Sequence, residues 1–153
     1  MHRVDQSVEL FRGGYTCSQA ILMTYGQSLG LRGDQACRLA AGFSGGLRMG
    51  ETCGAVTGAI MVLGLALGDS NPQDQQAKAR TYAAVVEFEK RFAAQAGSTC
   101  CRDLLGLDVR EPEQLAKARE TGLFKTLCPR FVETSARILE SIMAETPADN
   151  CPP

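Results

Sequence analysis

The sequence predicts an all-α protein, a single compact bundle of about six to seven helices. Apolar residues recur with helical spacing along most of the chain, and no segment shows the sustained alternation of apolar and polar residues that strands require. A length of 153 residues suits one domain with its own hydrophobic core, and no internal repeat or low-complexity linker divides the chain. We therefore expect one helical domain over residues 1–146 and a flexible C-terminal tail over 147–153.

Glycine, proline and capping residues predict where the helices begin and end. A first short helix places Val4, Val8 and Phe11 on one face and ends at Gly13-Gly14, and a second runs from Cys17 to Leu29. A third helix is predicted to start at Asp34, and a central one to lie between Glu51 and Gly64. A long polar helix follows from Asn71-Pro72 to about Ala96, with Ala77, Tyr82 and Phe88 facing inward. The remaining predicted elements are a short helix or turn at Cys101, a helix from Pro112 to Glu120, and a last helix opened by Cys128-Pro129.

Glycines are concentrated before and inside the central helix. Four of them lie in the nine residues 42–50, which predicts a loop or a chain of tight turns. Glycine inside a helix costs about 1 kcal/mol relative to alanine, so the glycines of the helix that follows need a packing reason. We expect the backbone to approach other elements closely at Gly45, Gly46, Gly50, Gly54 and Gly58.

Seven cysteines are the most unusual feature of the composition, and they favour free thiols. Seven is odd, and the fraction is below the roughly 8–10% of disulfide scaffolds, so a fully paired secreted protein is disfavoured. Four of them fall at predicted helix N-termini: Cys17, Cys53, Cys101 and Cys128. The N–H groups and the positive end of the helix dipole favour a thiolate there, and thiolates attack disulfides and bind soft metals.

The other cysteines and the neighbouring carboxylate have simpler interpretations. Cys37 is expected to pack as a small apolar residue, and Cys151 to be incidental in the tail. Neighbouring helical side chains point about 100° apart, so one member of the doublet faces a given centre. We choose Cys101, with Cys100 as a spare or resolving thiol. Glu51 is expected to complement the dipole of the central helix, with a role as ligand or proton relay as the alternative.

Four segments together resemble a known family. They are Tyr15-Thr16-Cys17-Ser18-Gln19-Ala20, the glycine loop followed by Cys53-Gly54-Ala55-Val56-Thr57-Gly58-Ala59, Cys101-Arg102-Asp103-Leu104-Leu105-Gly106, and Cys128. Over nearly the whole chain this pattern resembles the C_GCAxxG_C_C family of small redox-active proteins, from which the doublet at Cys100 and the additional Cys37 and Cys151 depart. The resemblance implies a redox-active cysteine domain. A related domain in split-Soret cytochromes implies an iron–sulfur or electron-transfer role.

The leading functional hypothesis is a redox-active protein in which Cys17, Cys53, Cys101 and Cys128 converge. They would hold an iron–sulfur cluster for electron transfer, or operate as one or two dithiol/disulfide pairs with a redox partner protein, an oxidoreductase or electron carrier. One alternative is a structural zinc or other metal site with the same four thiolates; another is a non-catalytic interaction protein whose cysteines only pack. The chain has no C-x-x-C motif, and the sequence leaves open whether the protein is an enzyme.

Charge and hydropathy exclude several other classes of function. The formal net charge is −1 without long runs of like charge, which argues against nucleic-acid binding and a polybasic membrane anchor. The N-terminus is too polar for a signal peptide. The stretch from Cys53 to Gly68 has no charged or amide side chain, but its sixteen residues are fewer than the ~20 of a membrane span. We expect a cytoplasmic location. Apolar residues lie on more than one face of the central helix: Met61, Leu63, Leu65 and Leu67. They indicate either that this segment is central or that a second subunit of a homodimer covers part of it.

Overall fold

The computed structural model describes residues 1–146, and all the regular structure there is helical. The eight helices are α1 (Arg3–Arg12), α2 (Cys17–Gly26), α3 (Gly33–Leu39), α4 (Gly54–Leu67), α5 (Gln75–Ala96), α6 (Cys101–Leu105), α7 (Pro112–Glu120) and α8 (Leu123–Glu145). No strand occurs in this part of the chain, where one isolated antiparallel bridge joins Thr52 and Cys100. The all-α prediction is confirmed, with eight helices instead of six to seven. The predicted tail, with Cys151, lies outside the described residues.

Helix α4 lies at the centre of the bundle, as the sequence predicted. It packs against α2, α5 and α8, and its residues Val56, Ala59, Val62 and Leu63 are fully buried. Leu67 is buried in the same core, so most of the apolar surface of this helix is covered within one chain, whereas Leu65 is exposed. Among the helices of residues 1–146, none has both the length and the apolar character needed to cross a membrane. The homodimer stays a prediction.

Two glycines allow α2 to lie directly against α4. A Cβ atom at Gly58 would lie 3.0 Å from the carbonyl oxygen of Ser18 and 3.1 Å from Cβ of Ile21. A Cβ atom at Gly54 would lie 3.3 Å from Cβ of Cys17. All three distances are shorter than ordinary van der Waals contacts, so a larger residue would push the helices apart. The predicted close approach at these two positions is therefore present, and it brings the start of α2 beside the start of α4.

The start of the long helix α5 differs from the prediction. The helix begins at Gln75, and its N-cap is Asp74, whose carboxylate accepts a hydrogen bond of 2.9 Å from the N–H of Ala77. Asn71 instead accepts a hydrogen bond from the N–H of Gln73 and closes a turn before the helix. Two residues with capping side chains compete in this segment, and the later one caps the helix. Tyr82, predicted to face inward, is 64% exposed.

The last helix begins earlier than predicted, which changes the setting of one cysteine. Helix α8 starts at Leu123 after Gly122, whose backbone is left-handed with φ +69°, and Cys128 lies inside the helix. The prediction that Cys128 marks a helix N-terminus is therefore wrong. The prediction relied on Pro129, because proline favours the first turn of a helix. Here Pro129 lies in the helix interior, where it lacks the N–H that would bond the carbonyl of Lys125.

Candidate functional site

The four cysteines singled out from the sequence line one cavity of about 230 Å³. The cavity lies where the starts of α2, α4 and α6 meet the first turns of α8. Cys53, Cys101 and Cys128 are buried, and Cys17 is partly exposed. Side chains from distant parts of the sequence therefore surround one space. Cys37 and Cys100 do not line it.

Backbone and capping interactions position Cys17 and Cys53. Cys17 is the first residue of α2, which is capped reciprocally: the hydroxyl of Thr16 accepts from the N–H of Gln19, and the side chain of Gln19 accepts from the N–H of Thr16 at 3.0 Å. Cys53 is the N-cap of α4, and its own N–H donates to the carbonyl of Thr99 at 2.8 Å. The two thiols thus sit at rigid helix starts, as the sequence predicted for them.

A left-handed turn in the glycine loop places the backbone against Cys101. Four consecutive residues from 45 to 48 have φ near +60°, including the non-glycine residues Leu47 and Arg48. Left-handed backbone is costly for residues with a Cβ, and such strain persists where the surrounding structure enforces it. A Cβ atom at Gly46 would lie 2.8 Å from Cβ of Cys101. The N–H of Cys101 donates to the carbonyl of Glu51, which ties the loop to the start of α6.

The pKa values of the Cys17 and Cys53 thiols are shifted in opposite directions. Hydrogen bonding with the thiols of Cys128 and Cys53, together with burial, raises the pKa of Cys17 well above its usual range. Hydrogen bonding from Cys17 lowers the pKa of Cys53, and the N–H groups of Ala55 and Val56 at the start of α4 add to this effect against the opposing effect of burial. Of the two thiols, Cys53 is therefore the one that loses its proton more readily.

Cys101 and Cys128 lie on the apolar side of the cavity. Both belong to a small buried cluster with Leu105 and Val109, and Cys17 packs against this cluster as well as against the main core. Burial raises the pKa of Cys101 to about 12, and Arg48 opposes this only in part. Cys101 is therefore a neutral thiol at neutral pH, although it begins a helix.

The predicted auxiliary residues do not face the cavity. The thiol of Cys100 donates a hydrogen bond of 3.1 Å to the carbonyl of Gly50, so it points toward the loop and Cys101 is the member of the doublet that lines the cavity. The carboxylate of Glu51 is 56% exposed and lies 3.5 Å from the guanidinium of Arg102. The contribution of Glu51 to the site is its backbone carbonyl. Its predicted role as a ligand or proton relay has no geometric support in the described residues.

The structure also adds two residues to the site that the sequence did not mark as part of it. Arg48 in the loop and Arg119 in α7 both line the cavity. Arg119 lies in a charged helix that resembles an ordinary solvent-exposed one, so no local pattern distinguishes it. Only the packing of α7 against α8 reveals its position.

The arrangement of ligating side chains bears on the metal hypotheses. Within residues 1–146, no three Cys, His, Asp or Glu side chains are grouped closely enough to bind one metal ion. Tetrahedral zinc requires four ligands around one metal ion, and the thiols as placed here do not provide them. The ligands of an iron–sulfur cluster surround several iron atoms and lie farther apart. We derive no step through either group. Iron–sulfur and zinc binding stay predictions from the sequence.

The fold and the cavity define a helical protein with clustered thiols, and the comparison with known families agrees. The chain belongs to the family described as Putative redox-active protein (C_GCAxxG_C_C), whose model matches residues 15–142. The matched range includes all four cavity cysteines and the glycine loop, so the resemblance found in the sequence is confirmed. No curated protein and no solved structure matches the chain.

Proposed function

We propose that the protein is a thiol–disulfide oxidoreductase in which Cys53 is the attacking thiolate and Cys17 the resolving thiol. The observation that carries the proposal is that Cys17 and Cys53 lie at two helix starts on one cavity, where Cys17 lowers the pKa of Cys53 and Cys53 raises the pKa of Cys17. A reactive cysteine requires a thiolate that substrate can reach, and the cavity provides access to a sulfur that is otherwise buried.

The reaction proceeds in two exchanges. The Cys53 thiolate attacks one sulfur of a substrate disulfide; the S–S bond breaks, and the other half leaves as a thiolate. The Cys17 thiol then gives up its proton, and its sulfur attacks the Cys53 sulfur of the mixed disulfide. The products are one thiol and one thiolate of the substrate and a Cys17–Cys53 disulfide in the protein. The substrate gains two electrons, and a dithiol protein or small thiol must later reduce the protein.

Cys128 also acts on this dithiol pair. It lines the same cavity, and its thiol raises the pKa of Cys17. Together with burial, this contact favours the protonated form of Cys17, the partner that attacks second.

The proposal is tested by counting thiols and metals in one preparation. Protein purified anaerobically and equilibrated in dithiothreitol buffers of rising potential should lose two thiols per chain in a two-electron transition. It should show no visible absorbance band and less than stoichiometric iron and zinc. A C37S variant is the control, because Cys37 lies outside the cavity, and it should titrate like the wild type. Stoichiometric iron with a visible band, and thiols that do not respond to potential, would support the cluster hypothesis instead.

A further inference from the structure

The cavity is electropositive, although the chain as a whole is slightly acidic. Arg48 and Arg119 line it, and no aspartate or glutamate does. The whole chain carries 17 acidic and 16 basic side chains. The cavity therefore differs from the rest of the chain, because its two charged side chains are both basic. Arg48 and Arg119 are both exposed residues, so their charges act at the solvent-facing side of the cavity, where salt screens them.

Neither of these guanidinium groups has an ionic partner among residues 1–146. Five other arginines pair with carboxylates there at 3.0 Å or less: Arg12, Arg32, Arg91, Arg110 and Arg137. Arg48 and Arg119 make no ion pair and no side-chain hydrogen bond within the same range, so their donors are available. Arg48 is in addition held by a left-handed backbone that costs free energy, which is typical of residues with a functional position.

The size and walls of the cavity limit what it can bind. A volume of about 230 Å³ is below the ~300–1,000 Å³ of pockets for drug-sized ligands, which points to a smaller molecule. Leu104, Phe124 and Phe131 supply apolar walls beside the thiols. A fitting ligand therefore has a short hydrocarbon skeleton and anionic ends that match the arginines.

We propose that the substrate of this site is a small disulfide that carries carboxylates, which Arg48 and Arg119 bind while its S–S bond meets Cys53. The inference rests on the proposed function and names its substrate class. Guanidinium groups suit carboxylates because two parallel N–H donors match two oxygens. The chemical step is the exchange described above: the S–S bond breaks, a Cys53 mixed disulfide forms, and one carboxylate-bearing thiolate leaves.

Kinetics test the charge requirement with two disulfides of equal size. Dithiodipropionate has two carboxylates, and dithiodipropionamide replaces each with a neutral amide. The wild type should react at least about tenfold faster with the dianion, and the preference should decrease as salt screens the charges. The R48Q R119Q variant should react with the two at similar rates. The control is R38Q, which removes an exposed arginine outside the cavity and should keep the preference.

A binding measurement separates this inference from the redox function. Octanedioate and octanediamide reproduce the two disulfides with carbon in place of sulfur, so they cannot undergo exchange. Calorimetry should show that octanedioate binds the wild type at least about tenfold more tightly than octanediamide, and that R48Q R119Q loses the difference. Equal affinities would overturn the inference even if both disulfides react. Selective binding of octanedioate without reaction of either disulfide would support the anion site and contradict the oxidoreductase function.

Discussion

Replacing Cys53 with serine should slow the reduction of small disulfides by at least about a thousandfold, because a serine hydroxyl stays protonated near neutral pH and does not attack sulfur. The fold should change little, since the thiol and the hydroxyl are similar in size and Cys53 borders the cavity. The measurement is the rate of thiol release from dithiodipropionate under anaerobic conditions. The thermal transition of the same preparation shows whether the variant is folded.

The matched control is Cys100→Ser. Its thiol donates to the carbonyl of Gly50 outside the cavity, and a serine hydroxyl can make the same hydrogen bond. This variant should therefore keep the wild-type rate. If C53S retains the reaction, or if both variants lose it equally, the assignment of Cys53 as the nucleophile is wrong.

Cys17 has a different role from Cys53. The hydrogen bond from Cys17 lowers the pKa of Cys53, so the wild-type thiolate persists to lower pH than that of an ordinary cysteine. A Cys17→Ala variant loses this donor, and the alkylation of Cys53 should need higher pH. It should still form a mixed disulfide at Cys53 but be unable to close the Cys17–Cys53 disulfide.

Replacing Gly46 with alanine should lower the free energy of unfolding by about 2–4 kcal/mol, and Tm by roughly 5–15 °C. The new Cβ would lie 2.6 Å from the backbone nitrogen and oxygen of Glu51 and 2.8 Å from Cβ of Cys101. Backbone atoms cannot move aside as a flexible side chain can. The loop and the start of α6 must therefore separate, and we expect the disulfide reaction to slow as the cavity deforms.

Gly106→Ala is the control for this substitution. Gly106 has φ +68°, close to the +60° of Gly46, but a Cβ atom there would meet nothing within 4 Å. Its alanine variant should lose only the cost of the left-handed conformation, about 1 kcal/mol, and should keep the disulfide reaction. Equal losses of stability in the two variants would show that the contact with Cys101 is not the reason for a glycine at position 46.

The sequence predicted the helical architecture and the set of cysteines because both depend on local signals. Cys17 and Cys53 follow or form helix caps, and glycines beside Cys53 are unusual enough to require a close approach. Neighbouring residues in the sequence determine these features. The glycine loop was likewise recognisable from composition, although its left-handed course through Leu47 and Arg48 was not, since neither residue favours that conformation.

The properties that the sequence could not predict depend on contacts between distant segments. The pKa values of Cys17 and Cys53 shift in opposite directions only because α2 lies against α4. The same holds for Arg119, which reaches the cavity because of how α7 packs. Cys128 was assigned to the site for a reason that proved wrong, since it lies within α8 and not at its start. Its place in the cavity follows from tertiary packing.

The most direct measurement of the central claim is to map the disulfide that forms when the wild-type protein reacts with a limiting amount of dithiodipropionate. Remaining thiols are alkylated, the protein is digested without reduction, and linked peptides are identified by mass spectrometry. The account predicts a link between Cys17 and Cys53, with Cys37, Cys100 and Cys101 recovered as free, alkylated thiols. A product in which Cys53 remains a free thiol while other cysteines are linked would contradict it.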